Sequence, residues 1–371
     1  MGTLWKMDSV GGGFSRVRGA VLCTVALGAG VVCLSGAKYS AATGTASCRV
    51  SREFGFRGSQ HLFAVALDGP GSVLAVGARR AGHSEHSLVE RLSHNRWARI
   101  QTPDIGLLGD VSATSRRNVW AVGARKALHW DGRRWKQVSL PNASGLRGFA
   151  VSHISATTQG LWVHGARFVW HWNGKRWRTW ATKGLTNYGG ISALSDHDVW
   201  VGGDDAYVGE KGELHTRPLL LHWDGRRWQH MQIPADPELE ILAIDARGVD
   251  QVWITGYRAD QDDRWTGVVE EWDGSTWHDL HQPQIVAPYG VAGQVSYTTI
   301  SAVDAQSAWV GGDAGDVPLT ILASARESIM PPEPSPLSAV VYDIDAVDAK
   351  TAWAVAFDSK SSLIERVACD Q

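Results

Sequence analysis

The chain has 371 residues, of which 44% are hydrophobic and 20% are charged, a composition typical of a globular protein. This composition excludes a disordered or collagen-like chain. The 36 basic and 38 acidic residues give a net charge of −2 without a basic run. We therefore expect no nucleic-acid binding, which requires clustered Lys and Arg. The chain also contains 19 Trp, an excess that makes internal repetition the first explanation to test.

The N-terminal segment has the features of an export signal. Arg16 and Arg18 precede an uncharged stretch, Gly19 to Ala37, and small residues follow it. This order is typical of a secretory signal peptide. We predict a signal peptide and short spacer over residues 1–46, cleaved after Ala37, Ala42 or Ala46, and a secreted mature protein without a stable membrane span. The alternative is an uncleaved anchor, because the stretch is just long enough to cross a bilayer.

One pattern recurs seven times: an aliphatic residue and two small ones, then a turn, then an apolar strand. The openings are Val65-Ala66-Leu67, Val111-Ser112-Ala113, Ile154-Ser155-Ala156, Ile191-Ser192-Ala193, Ile244-Asp245-Ala246, Ile300-Ser301-Ala302 and Ile344-Asp345-Ala346. The strand centre follows eight or nine residues later, at Leu74, Trp120, Trp162, Trp200, Trp253, Trp309 and Trp353. A fixed offset of this kind indicates a structural repeat.

Four copies also carry an aromatic hairpin in their second half. The hairpins are Trp130-Asp131-Gly132 to Trp135, Trp172-Asn173-Gly174 to Trp177, Trp223-Asp224-Gly225 to Trp228, and Trp272-Asp273-Gly274 to Trp277. Asp-Gly and Asn-Gly between apolar runs are strong hairpin signals, because they tolerate the positive φ angles of a tight turn. The first copy keeps a looser version, His94-Asn95-Arg96-Trp97. Most of the Trp excess is therefore explained by repeat packing.

Four short strands in a unit that recurs every 37 to 56 residues are typical of a β-propeller blade. We predict an all-β, seven-bladed β-propeller of four-stranded antiparallel blades over residues 47–371. The predicted blades start near residues 62, 108, 151, 188, 241, 297 and 341. The last unit lacks an outer strand, and residues 48–54 alternate like a strand without a unit of their own. We expect them to complete the last blade, so that pairing of the N- and C-terminal strands closes the ring.

The repeats resemble those of bacterial secreted β-propellers of the broad BNR/Asp-box and YVTN-like group, over roughly residues 60–369. An Asp box reads Ser-x-Asp-x-Gly-x-x-Trp between the third and fourth strands. Asp131-Gly132-Arg133-Arg134-Trp135 keeps the Asp, the Gly and the Trp but is one residue shorter between Asp and Gly. The resemblance implies a propeller fold. It does not select one function, because such propellers include binders, assembly factors, glycosidases and lyases.

We looked for a candidate site in the loops that follow the second strands. In a propeller these loops lie together on one face, around the central channel. Five residues after the strand centres stand Arg79, Arg125, Arg167, Asp205, Arg258, Ala314 and Asp358. Nearby are Asp204, Asp313 and, in an acidic loop, Trp265. One interpretation is an anion-binding sector of arginines, since Arg offers forked donors to carboxylates and phosphates. The other is a solvated rim of charges that partly pair with each other.

We predict a non-enzymatic binding module, monomeric, without cofactor or metal, that acts at the cell surface or outside the cell on an extracellular glycan, peptide or protein. The chain has no nucleophile elbow, zinc-protease motif or phosphate-binding loop. The alternative is a propeller glycoside hydrolase or lyase, which needs paired carboxylates over the channel. The candidates for that pair are Asp204, Asp205, Asp313 and Asp316.

Two cysteines, Cys48 and Cys369, stand at the two ends of the mature chain. In an oxidising compartment we expect them to form a disulfide between the two terminal strands. The alternative is two free thiols.

Overall fold

The computed structural model describes residues 47–141, 153–165, 167–182, 185, 189–208, 214–233, 239–260, 264–280, 294–314, 317–324, 339–358 and 361–370. The chain divides into two units, 1–44 and 45–371, and the described residues all belong to the second. The predicted signal peptide therefore lies outside the described residues. Within them, no helix has the length and apolar character needed to cross a bilayer.

The described residues form 27 β-strands. The first nine are β1 (Ser47–Arg57), β2 (Gln60–Gly69), β3 (Ser72–Ala81), β4 (Ser84–Ser93), β5 (Arg96–Arg99), β6 (Asp110–Ser115), β7 (Asn118–Val122), β8 (Lys126–Trp130) and β9 (Trp135–Ser139). The next nine are β10 (His153–Ala156), β11 (Leu161–Gly165), β12 (Phe168–Trp172), β13 (Trp177–Ala181), β14 (Gly190–Ser195), β15 (Asp198–Val208), β16 (Leu214–Trp223), β17 (Trp228–Met231) and β18 (Leu239–Gly248). The last nine are β19 (Gln251–Ala259), β20 (Trp265–Trp272), β21 (Trp277–Asp279), β22 (Val295–Ala302), β23 (Ser307–Ala314), β24 (Val317–Ser324), β25 (Ala339–Asp348), β26 (Thr351–Asp358) and β27 (Ser361–Asp370).

These strands form consecutive antiparallel sheets, which we number along the chain. Sheet 1 is β2–β5, sheet 2 is β6–β9, sheet 3 is β10–β13, sheet 4 is β14–β17, sheet 5 is β18–β21, sheet 6 is β22–β24, and sheet 7 is β25–β27 with β1. The first strand of each sheet contacts the first strand of the next, and β25 contacts β2. The fold is a β-propeller, with these first strands around its axis.

The prediction of seven four-stranded blades is wrong. Six sheets are complete four-stranded blades, and sheet 6 has three strands in the described part of the chain. The sequence supplies a physical reason, because no Asp-Gly or Asn-Gly hairpin follows β24. Residues 331–336 contain four prolines instead, and a proline cannot donate a hydrogen bond to a sheet ladder.

Sheet 7 combines strands from the two ends of the propeller. β1 lies antiparallel to β27, with Val50 opposite Val367 and Cys48 opposite Cys369. Cys369 is buried and disulfide-bonded. The side chain of Cys48 lies outside the described part of the structure, so its bond to Cys369 stays a prediction.

The core lies between neighbouring sheets. The second strands are buried along their length, as Val119 to Val122 illustrate, because sheets cover both of their faces. Their central Trp residues pack into the following sheet: Trp120 clusters with Ile154 of sheet 3, and Trp162 with Ile191 of sheet 4. The fixed offset between opening and strand centre thus places one large side chain in each of these interfaces.

Candidate functional site

The first strands of all sheets run in the same direction, which gives the propeller two distinct ends. Ile154 N–H donates to Asp110 of the preceding sheet (2.7 Å), and Ala156 N–H donates to Ser112 two residues further (3.0 Å). Donor and acceptor both advance by two residues in the same chain direction, so the two first strands are parallel. We call the end where first strands turn into second, and third into fourth, the proximal end. The distal end is where second strands turn into third.

Three of the predicted arginines lie at the distal end of consecutive sheets. Arg79 lies in β3, Arg125 in the turn between β7 and β8, and Arg167 in the turn between β11 and β12. All three are exposed, and none forms an ion pair in the described part of the structure. Arg167 has a φ of 64°, and its backbone bonds to Leu185 and Thr182 fix this unusual conformation. The three arginines thus stand exposed at one end of consecutive sheets, without an ion-pair partner among the described residues.

The charges of sheets 4 and 5 are, in contrast, paired locally. Asp205 lies 2.6 Å from Arg217 of the neighbouring strand. Arg258 contacts the buried Glu270 at 2.6 Å and Asp279 at 3.1 Å. The predicted continuation of the ring through Asp205 and Arg258 is thus a set of ion pairs within single sheets. The arginines of sheets 1 to 3 have no such partner among the described residues.

The remaining candidate residues have separate partners. Asp204 is buried and accepts a hydrogen bond from Ile241 N–H of sheet 5 (3.2 Å), and its burial raises its pKa to about 7. Asp313 accepts from Ser296 Oγ of its own sheet (2.9 Å). Trp265 stacks on Tyr257, with ring centroids 4.6 Å apart. The side chain of Asp358, like Asp316, lies outside the described residues. Asp204, Asp205 and Asp313 thus each have a different partner, and their role as a carboxylate pair stays a prediction.

The axis holds a group of carboxylates that the sequence analysis missed. The first strands line a cavity of about 460 Å³, and Asp110, Asp245, Asp343 and Asp345 face it. Loss of hydration raises the pKa of Asp343 to about 7 and that of Asp345 to about 6. Arg247 lies 3.6 Å from Asp245 and offsets part of this negative charge. No group of three or more His, Cys, Asp or Glu in the described residues is arranged to hold a metal ion.

These carboxylates accept backbone hydrogen bonds from the next sheet. Asp343 accepts from Val65 N–H (2.8 Å) and Asp345 from Leu67 N–H (2.7 Å). Asp245 accepts from Ala302 N–H (2.8 Å). The middle residue of the repeat opening is thus an acceptor, Ser or Asp, for the following first strand. The carboxylates are engaged in holding the ring together, which leaves them poorly suited as free catalytic acids.

We call the middle residues of the repeat openings, which accept these hydrogen bonds, the acceptor ring. One copy lacks its acceptor, and restoring it tests how much the ring contributes to stability. Ser112, Ser155, Ser192 and Ser301 each accept from the next sheet, but the first copy has Ala66 at this place. Ala66→Ser supplies an acceptor for Ala113 N–H, and we expect it to raise the free energy of unfolding by about 0.5–1.5 kcal/mol. Ser155→Ala, the matched control, should lower it by about 1 kcal/mol. Urea unfolding measures both free-energy changes. A loss of stability in Ala66→Ser together with a gain in Ser155→Ala would contradict the role of the acceptor ring.

Comparison with solved structures finds propellers of the same fold. A structure of YCF48 bound to D1 peptide matches with a TM-score of 0.58 and 13% identity, covering 87% of this chain and 97% of that chain. YCF48 from Cyanidioschyzon merolae matches with a TM-score of 0.54 and 12% identity, covering 85% and 98%. At this identity the likeness concerns the fold alone. No family model and no curated protein matches the chain, so its assignment to the BNR/Asp-box and YVTN-like group remains a resemblance.

Proposed function

We propose that this protein is a non-enzymatic binding module that holds a protein segment at the distal end of its propeller. The observation that carries the proposal is the arginine sector: Arg79, Arg125 and Arg167 are exposed, without ion-pair partners among the described residues, and on consecutive sheets. Arg presents forked donors that suit carboxylates. Carboxylates of a peptide, from side chains or from its C-terminus, are the matching ligands.

The structural neighbours support a peptide over a glycan. One of them, YCF48, is a propeller bound to a peptide. Sugar recognition commonly uses an aromatic face, but the exposed-loop candidate Trp265 stacks one face on Tyr257. Export through the signal peptide over residues 1–46 is part of the proposal, and it places the binding event outside the cell.

The proposal is tested with 12-residue peptides selected from a display library on the purified protein. Their Kd values are then measured by fluorescence anisotropy at 50 mM NaCl. The variant Arg79→Ala/Arg125→Ala/Arg167→Asn keeps a residue that tolerates positive φ at position 167. We expect it to bind 10- to 100-fold more weakly, because each exposed charge contact contributes about 0.5–1 kcal/mol.

The control variant Arg134→Thr/Arg176→Thr/Arg227→Thr removes the same charge at the proximal end and should change Kd by less than threefold. Failure to select any peptide, or equal losses in both variants, would contradict the proposal. Binding to a glycan array without peptide binding would reassign the site to sugars.

A further inference from the structure

The two halves of the propeller carry opposite charge. Residues 58–188, which include sheets 1 to 3, contain 18 basic and 6 acidic residues. Residues 189–338, which include sheets 4 to 6, contain 8 basic and 24 acidic residues. The net charge of −2 therefore conceals a strong separation. Protein surfaces ordinarily intersperse the two signs, and large fields of one sign attract charged partners.

The positive charge is concentrated at the proximal end, on the tips of four consecutive hairpins. Each tip carries basic residues directly before the second hairpin Trp, and all of them are exposed: Arg96, Arg133, Arg134, Lys175, Arg176, Arg226 and Arg227. We call this set the basic face. Arg227 lies 3.8 Å from Asp224, and the other six form no ion pair among the described residues.

Three of the four hairpins present their cations in the same way. Asp131 Oδ1 accepts from the N–H groups of Arg133 and Arg134, each at 3.0 Å. Asn173 accepts equivalently in sheet 3, and Asp224 in sheet 4. The glycines that follow these residues have φ angles of 87°, 85° and 86°. Turns of one shape, repeated around an axis, place their tips at a similar height and so close to one plane.

The fold does not require these charges. The hairpin of sheet 5 has the same turn, in which Asp273 Oδ1 accepts from the N–H groups of Ser275 and Thr276 at 2.8 Å. Its glycine, Gly274, has a φ of 93°. Ser275 and Thr276 occupy the places that Arg or Lys fills in sheets 2 to 4. The basic residues thus serve something other than turn formation.

We propose that the basic face docks on a membrane surface that displays anionic phospholipid headgroups. A near-planar array of seven cations fits a flat bilayer better than the narrow line of a single peptide. Each Lys or Arg near such a surface strengthens binding about fivefold.

Both terminal strands also reach the proximal end. Cys369 N–H donates to Lys350 O in the turn between β25 and β26, so the end of β27 lies at the proximal end. β1 begins opposite that end of β27, with Ser47 paired to Asp370. With the basic face docked on a membrane, the distal arginines face away from the membrane and stay accessible.

The test is co-sedimentation of the purified protein with 100 nm vesicles of phosphatidylcholine containing 30 mol% phosphatidylglycerol. We expect binding at 50 mM NaCl that is lost at 300 mM NaCl and absent on pure phosphatidylcholine. The variant Arg134→Thr/Arg176→Thr/Arg227→Thr adopts residues that the sheet 5 hairpin already contains. It should lower the partition coefficient at least 20-fold, since three cations are removed.

The matched control is Arg79→Ser/Arg80→Ser/Arg125→Ser, which removes three charges from the distal end. It should lower the partition coefficient less than threefold. Equal loss in both variants, or no binding of the wild type at 50 mM NaCl, overturns the proposal. Displacement from the vesicles by micromolar Glu-rich 12-residue peptide reassigns the basic face to a protein partner. The Kd of the peptide at the distal end is measured in a separate experiment. One proposal can therefore fail while the other stands.

Discussion

Trp162→Ala is expected to lower the free energy of unfolding by about 3–5 kcal/mol, the range found when a large core aromatic is truncated. Trp162 is fully buried between sheets 3 and 4. Its ring stacks on His171 at 4.2 Å and on Trp180 at 5.4 Å. It also meets Trp223 and Trp228 at 6.4 and 6.0 Å. Removing the indole leaves a cavity that four rigid rings cannot readily fill.

Urea unfolding followed by far-UV circular dichroism measures this effect. Trp265→Ala is the control, because Trp265 is only partly buried on the long hairpin of sheet 5 and its main ring contact is Tyr257. We expect a loss of about 1 kcal/mol or less for the control. A loss below 1.5 kcal/mol for Trp162→Ala would mean that the interface between sheets 3 and 4 is not packed as described.

The sequence predicted the repeat and its strands well, because each unit must bury one large side chain at a fixed place. Trp120, Trp200 and Trp253 lie in second strands, at the centre of the predicted apolar runs. The Asp-Gly and Asn-Gly turns were also predictable, since Gly132 and Gly174 adopt the positive φ that the motif indicates. Such features depend on short segments of chain and are therefore readable locally.

Features that join two sheets were not predictable in the same way. The repeat pattern marks Ser192 and Asp245 only as the middle residues of two openings, whereas in the structure each accepts a backbone hydrogen bond from the next sheet. The partners stand 54 and 57 residues away. The third strand of sheet 6 was harder to predict for another reason, because its repeat lacks the aromatic hairpin that follows the third strand in sheets 2 to 5.

Charge was also misleading when taken over the whole chain. The net charge of −2 gives no sign of a basic surface, yet residues 132–195 contain no Asp or Glu at all. The propeller converts this stretch of sequence into a sector of its surface, because each sheet is built from consecutive residues. A charge count by repeat, and not by chain, would have found the basic sector.

The free energy of unfolding is expected to fall by about 2 kcal/mol between pH 6 and pH 8.5, a decrease that we call the alkaline limb. Burial raises the pKa of Asp343 and of Asp204 to about 7, whereas an unfolded Asp titrates near 3.8. Between these values the folded chain holds protons that the unfolded chain releases, so the free energy of unfolding falls as pH rises through 7. One pKa unit corresponds to about 1.4 kcal/mol, and access of water to the channel reduces the total.

Titration of a buried histidine acts in the opposite direction. His164 is fully buried, and burial lowers its pKa to about 3, against 6.5 for an unfolded His. The unfolded chain takes up this proton first, so the contribution of His164 to stability falls as pH drops below 6.5 and offsets part of the gain from the two carboxyls. Urea midpoints from pH 5 to 8.5 measure the net dependence. Asp343→Asn should flatten the alkaline limb by about 1 kcal/mol, whereas Asp250→Asn, at an exposed turn, should leave it unchanged. An alkaline limb that persists in Asp343→Asn and in Asp204→Asn would show that these buried carboxyls do not hold the protons.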